Sequence, residues 1–150
     1  MKTFKDIVEK FQAAATYHTY IQSYGFGSLD NLNNMINQGY PLMWLRPLQS
    51  VGIQPYGQRT LSFEVYILTV PKQTDTDLVQ QYSDTERTCY DVYTWFRDGN
   101  YQQSYEINLT SIIPVAEAFQ DRLCGWVMNV DIITDSSGLS FCKIPHYNHV

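Results

Sequence analysis

The chain has 150 residues, a hydrophobic share of 44%, an aromatic share of 15% with 12 Tyr, and a formal net charge of −5. That length makes one domain able to bury a core without disulfides or metals. The acidic balance argues against binding a phosphate backbone, which requires clustered Lys and Arg. Charged residues supply only 17% of the chain, so the surface is expected to be chiefly neutral and polar, with Tyr offering large contact area and a polar tip.

Phe4, Ile7, Val8, Phe11 and Ala15 recur at helical spacing among Lys2, Lys5, Glu9, Lys10 and Gln12, which predicts an amphipathic helix from about Thr3 to Thr16. Tyr20, Gln22, Tyr24 and Phe26 alternate into an irregular strand ending in the Gly25 to Gly27 region, where the chain can turn. In LDNLNNMINQG, Leu29, Leu32 and Ile36 stand near helical spacing, with Asp30 as the expected cap of a short helical turn and Gly39 as its stop. YPLMWLRP reads as a strand whose Pro41 suits a strand start or an edge. It puts Leu42, Trp44 and the stem of Arg46 on one face and Met43 and Leu45 on the other. From Leu48 to Arg59 the chain has no charge before Arg59 and is too long for a tight hairpin, so a contact arm is expected there.

TLSFEVYILTVP resumes the sheet, with Leu61, Phe63, Val65 and Ile67 on one side, Ser62, Glu64, Tyr66 and Leu68 on the other, and Pro71 at its end. Thr74 and Asp77, three apart, open the longest helix, from about Asp75 to Asp98. Its seam is Leu78, Tyr82, Thr85, Cys89, Val92 and Phe96; Gln80, Gln81, Asp84, Arg87, Asp91 and Asp98 are assigned to the opposite face, and Gly99-Asn100 closes it. Two long strands follow. YEINLTSIIPVAEAF carries Tyr105, Ile107, Leu109, Ile113 and Val115 at alternate positions, and LCGWVMNVDIITD carries Cys124, Trp126, Met128, Val130 and Ile132. Gln120, Asp121 and Arg122 break the pattern as a bend, and Gly125 stands where a bulge or a close backbone contact is tolerated. SSGLSFCKIPHYNHV ends the chain without a sustained pattern.

Helix, strand pair, long helix, strand pair imply an α+β fold: a mainly antiparallel sheet of about four strands with two amphipathic helices packed on one face. Residues 1–135 make the single domain and 136–150 a C-terminal extension. Tyr66, Leu68, Ile112, Val127 and Ile133 fall on the second face, too apolar to stay wet, so another subunit is expected to meet it.

Chemistry-bearing residues are sparse. Cys89, Cys124 and Cys142 are odd in number and lack CxxC spacing, so free thiols in a reducing compartment are expected, without disulfide or zinc. His146 and His149, spaced HxxH, read as part of a mobile tail and not as a metal site. His18 has no evident acidic partner in sequence, and Cys89 lies on the buried seam of a helix, so neither reads as catalytic. Asp84, Glu86, Asp91 and Asp98 read as a solvated helix face, and GFG at 25–27 lacks the Lys and the strand–helix setting of a phosphate loop. No catalytic residue, cofactor or metal is expected. The amphipathic N-terminus and the lack of any run of about 18 apolar residues predict a soluble protein with no export signal or membrane segment.

Phe119-Gln120-Asp121-Arg122-Leu123-Cys124-Gly125-Trp126, then an alternating strand and Phe141-Cys142-Lys143-Ile144-Pro145, resembles a recurrent C-terminal pattern of small structural proteins of tailed bacteriophages. Tyr40-Pro41-Leu42-Met43-Trp44-Leu45 looks like the matching earlier block. With the order of helices, the chain is similar over nearly its whole length to tail-terminator and head–tail connector proteins, including those of crAss-like phages. The resemblance implies a virion protein made in the host cytoplasm: a subunit of a homo-oligomeric ring in the neck or tail, beside portal or tail ring proteins. DNA would pass through its lumen without specific binding. Closing a ring needs two different patches that match. The expected contacts are the 48–59 arm with Ile53, Pro55, Tyr56 and Arg59, then Tyr66, and the C-terminal extension with Phe141 and Ile144. The alternative is a soluble, non-catalytic adaptor that binds a small ligand or peptide.

Overall fold

The structure, a computed structural model, describes residues 3–33, 39–50, 57–98, 105–118 and 122–135. In chain order its elements are α1 (Phe4–Tyr17), β1 (Ser23–Phe26), α2 (Leu29–Asn33), β2 (Leu42–Pro47), β3 (Gln58–Thr69), α3 (Asp75–Asp98), β4 (Tyr105–Ala118) and β5 (Leu123–Asp135). The fold is α+β, and the sheet has five strands in the order β1-β2-β3-β5-β4, not four. The extra strand is β1. It lies parallel to β2, Ser23 opposite Leu42, while every other pair is antiparallel. A parallel neighbour needs a crossover, and the segment containing α2 supplies it. β2 is therefore an interior strand, and Pro41 stands just before it, where its carbonyl accepts the Gln22 N–H at 2.9 Å.

α1 begins with a reciprocal cap: Thr3 Oγ1 accepts the Asp6 N–H at 3.1 Å and Asp6 Oδ2 accepts the Thr3 N–H at 2.8 Å. Its buried residues Ile7, Phe11, Ala14 and Ala15 lie with Cys89, Val92 and Phe96 of α3 over one face of the sheet. Phe11 sits at the centre, its ring centroid 4.3 Å from Phe96 and 5.3 Å from Phe63. Met43, Leu45, Leu61, Phe63, Val65, Ile67, Met128, Val130 and Ile132 complete this core from the strands. Both amphipathic helices thus share one face, as their apolar stripes require.

The face assignment of Gln81 is corrected. It is buried, not solvated, because its amide spans the β3–α3 connection: Oε1 accepts the Lys72 N–H and Nε2 donates to Val70 O, both at 2.8 Å. Thr85 and Thr88 are buried near it with their hydroxyls returned to the carbonyls of Gln81 and Asp84, at 2.7 and 2.8 Å. Leu78 and Tyr82 are only half-buried.

The alternation expected along β4 also fails midway. Tyr105, Ile107 and Leu109 face the main core, but the register against β5 shifts between Leu109 and Ser111. One extra residue reverses the faces beyond it. Ile112 therefore packs on the main core, Val115 belongs to the other face, and Ile113 is half exposed.

Part of the apolar second face is covered within the chain. α2 covers that part with Leu29 and Leu32, and with Tyr40 and Val115 encloses a smaller core of Leu42, Trp44, Tyr66, Leu68, Leu123 and Val127. Ile133 stays half-buried and outside that cluster. The cap of α2 is Ser28, not Asp30. Its Oγ accepts the Asn31 N–H and its carbonyl the Leu32 N–H, both at 3.3 Å, which leaves Asp30 inside the first turn. Trp44 anchors this core by donating its indole N–H to Gly27 O at 3.0 Å, over Gly25, where an added Cβ would lie 2.2 Å from the ring. Gly125 is a close contact as expected: its φ is +148° and a Cβ there would lie 2.0 Å from Ile67 O.

Candidate functional site

The expected contact residues fall into two groups. Ile53, Pro55 and Tyr56 of the arm, and Phe141 and Ile144 with the whole 136–150 extension, lie outside the described residues, as do Cys142, His146 and His149. Arg59 and Tyr66 are described, and both are strand residues. β3 starts at Gln58, so Arg59 pairs across from Thr134 within the sheet instead of riding on a loop. The arm is anchored at its near end by the Leu48 N–H, which donates to Ser62 O at 2.8 Å. Tyr66 is 7% exposed inside the second core.

Tyr66 marks the border between that core and a polar strip on the same face of the sheet. Its hydroxyl donates to Glu64 Oε2 at 2.6 Å, and Glu64 Oε1 accepts from Arg46 Nη1 at 2.6 Å. Burial first, and then the Glu64 bond, push the Tyr66 phenol up to about 12. Further along, the Ser62 hydroxyl donates to Asp131 Oδ1 at 2.7 Å, Asn129 Nδ2 to Ser111 Oγ at 2.7 Å, and Thr110 Oγ1 to Asn129 O at 3.1 Å. Ser62, Glu64, Thr110, Asn129 and Asp131, with Leu48 and Gln49, line a shallow groove of about 610 Å³. Sequence reasoning named none of this strip as a site. The signal was present in Ser62 and Glu64 alternating against Asn129 and Asp131, residues that the strand register places opposite one another.

The sheet ends in two unlike edges, β1 with 4 residues and β4 with 14. β4 is regular from Tyr105 to Leu109, whereas its second half carries Pro114 and two register shifts. Such features blunt an edge against further strand pairing. Among the described residues the first half, with exposed Glu106 and Asn108, carries neither feature and pairs with no strand beyond β5.

His18 has an acidic partner that its sequence neighbours do not reveal. Its Nε2 lies 2.9 Å from Asp91 Oδ2 on α3, and its Nδ1 accepts the Tyr20 N–H at 3.1 Å. A backbone N–H can only donate, so Nδ1 holds the lone pair and Nε2 carries the proton that goes to Asp91. Both ring nitrogens are thereby used inside the fold, and neither offers a lone pair to a substrate. The pair borders a cavity of about 100 Å³ with Ala14, Tyr17, Val92 and Trp95, and Cys89 is not on its wall. Cys89 is fully buried, and desolvation pushes its thiol far above the ordinary range. The Cys124 thiol is also free, and burial raises it too.

No helix among the described residues is long and apolar enough to cross a membrane. No protein-family model matches the chain, and no curated protein matches it in sequence. Any functional reading must come from the chain's own residues.

Proposed function

We propose that this chain is a structural virion protein of a tailed bacteriophage, a non-catalytic subunit of a closed tail-terminator-type ring in the neck or tail that joins head to tail around the DNA channel. The observation that carries the reading is the pair of unlike sheet edges among the described residues, a 4-residue β1 and a β4 whose first half is regular. Two unlike edges invite head-to-tail contact, and head-to-tail contacts generate rings when the rotation closes.

Two further features support it. The polar strip bears Glu64 and Asp131, and its only cation among the described residues, Arg46, is already paired with Glu64; such a surface facing a lumen would let DNA slide, since its described residues offer no unpaired cation to a phosphate. α2 covers the Trp44 cluster on the second face, so the proposed subunit contacts are the edges, the 48–59 arm and the 136–150 extension. Light scattering over a concentration series, with negative-stain imaging, tests the proposal. Rings with a central hole are expected, for the protein alone or co-expressed with a neighbouring portal or tail ring protein. A monomer under both conditions sinks it.

A second reading, the soluble ligand- or peptide-binding module, is favoured by one observation, a pocket of about 480 Å³ beside the start of α3. It predicts a monomer at all concentrations and a melting temperature that rises with ligand.

A further inference from the structure

The 480 Å³ pocket is assembled from four places. Pro71 and Lys72 come from the β3–α3 connection, Leu78 and Tyr82 from the first turns of α3, Ala116 from β4, and Arg122 and Cys124 from just before and within the start of β5. Its volume lies in the range of small-molecule sites. Pro71, Leu78 and the Tyr82 ring give it apolar walls. The Tyr82 hydroxyl is already committed to Val115 O at 3.0 Å, and the Cys124 thiol, raised by burial, stays neutral. Any charge recognition must come from Lys72 and Arg122.

Those two cations are unusual for this chain. Among the described residues Lys5, Arg46 and Arg97 are ion-paired, Lys10 lies over aromatic rings, and Arg59 has interactions of its own. That leaves the side chains of Lys72, Arg87 and Arg122 without a partner among the described residues, and two of these three stand at one pocket. Arg122 also adopts φ +52°, the single positive-φ residue other than glycine among those described. Gly or Asn takes that conformation at lower cost, so the backbone gains nothing from an arginine there.

We infer that this pocket binds a monoanionic carboxylate carried on an apolar body, with Arg122 and Lys72 holding the carboxylate and Pro71, Leu78 and Tyr82 the apolar part. A planar carboxylate suits the guanidinium fork. Asp75 and Asp77 in the first turn of α3 put negative charge nearby, which disfavours a multiply charged phosphate. The inference rests on the second reading for the existence of a ligand, and binding is measured on the chain itself, so its failure leaves ring assembly untouched.

The test is a titration of the full chain with 3-phenylpropanoate and, separately, with acetyl-Gly-Phe bearing a free C-terminus, followed by the backbone amide signals of Gln73, Leu78 and Ala116. Saturable shifts are expected with an acid and not with its amide. Tighter binding of the first acid assigns a small-molecule source, and of the second a peptide C-terminus. Arg122→Gly is expected to weaken binding at least tenfold with a melting temperature equal to or above that of the parent, by up to about 4 °C. Arg122→Lys and Lys72→Gln should each weaken it less. No saturable shift up to 20 mM of either acid (about the weakest binding worth calling a site), equal binding of acid and amide, or a lower melting temperature for Arg122→Gly would each overturn the inference.

Discussion

The two faces of the sheet are built by different rules. One face carries a single continuous core in which Phe11, Phe63 and Phe96 meet under α1 and α3. The other is divided: a small core around Trp44 is closed by α2, and beyond it the strands carry Glu64 bonded to Tyr66 and Arg46, Ser62 bonded to Asp131, and Asn129 bonded to Ser111 of β4. The first face is fixed by long periodic elements that have no other way to bury their stripes. The second is fixed by local fittings: a short helix, a tryptophan over a glycine, and a hydroxyl on a carboxylate. It follows that the first face should govern global stability, while the second should govern what surface the protein presents.

The largest expected effect tests that division directly. Phe11→Ala removes a fully buried ring between two other rings and should cost about 3–5 kcal/mol, read as a lower urea midpoint with the slope unchanged. A loss below about 1 kcal/mol would mean that the continuous core is not the stabilising one. Next comes Gly25→Ala on the divided face. The added methyl would meet the Trp44 ring at 2.2 Å, so the indole must leave its place and its bond to Gly27 O. The expected cost is about 1–3 kcal/mol, with a changed Trp fluorescence spectrum. Neutral behaviour would show that Trp44 is not held where the second core needs it.

The contrast between the faces also explains what could be read in advance. α1, α3, β4 and β5 were legible because each repeats one period over many residues, and α3 runs from Asp75 to Asp98 as its seam of steps of three and four implied. Gln81 was misplaced because an amide that satisfies two backbone groups is buried for a reason that hydropathy does not encode. The bulge after Leu109 was invisible because alternation before it and after it is equally good, and only pairing with β5 fixes where the phase slips. The fifth strand was read only as irregular because four residues of SYGF carry too little pattern, and its partner β2 is reached through a crossover. Of the candidate contacts, Tyr66 looked like an outward residue because parity gave its face, while the helix that covers that face is only five residues long. The pairing of His18 with Asp91 spans 73 positions, and no local spacing signals it.

The smallest effects sharpen the comparison most, because one substitution made on two tyrosines should act with opposite sign. The Tyr66 hydroxyl donates to Glu64 at 2.6 Å, so Tyr66→Phe removes a charge-assisted bond and leaves Glu64 with one partner fewer; a loss of about 1–2 kcal/mol is expected at pH 7. Tyr24 packs against the main core with its hydroxyl buried and without a hydrogen-bond partner among the described residues. Tyr24→Phe removes only a desolvated polar atom and should raise stability by up to about 1 kcal/mol. Both phenols are pushed up from 10.0 to about 12, Tyr24 by burial and Tyr66 by burial and then by its bond to Glu64. A raised folded pKa means that the native state keeps its proton when the unfolded chain has lost it. The stability this gives is complete below pH 10 and disappears as pH climbs from 10 toward 12. Each Phe variant should therefore show a shallower fall in urea midpoint over that window than the parent, although the two start on opposite sides of it at pH 7. If both variants shifted the same way at pH 7, the second face would be packed like the first, and the distinction between a periodic core and a locally fitted one would not hold.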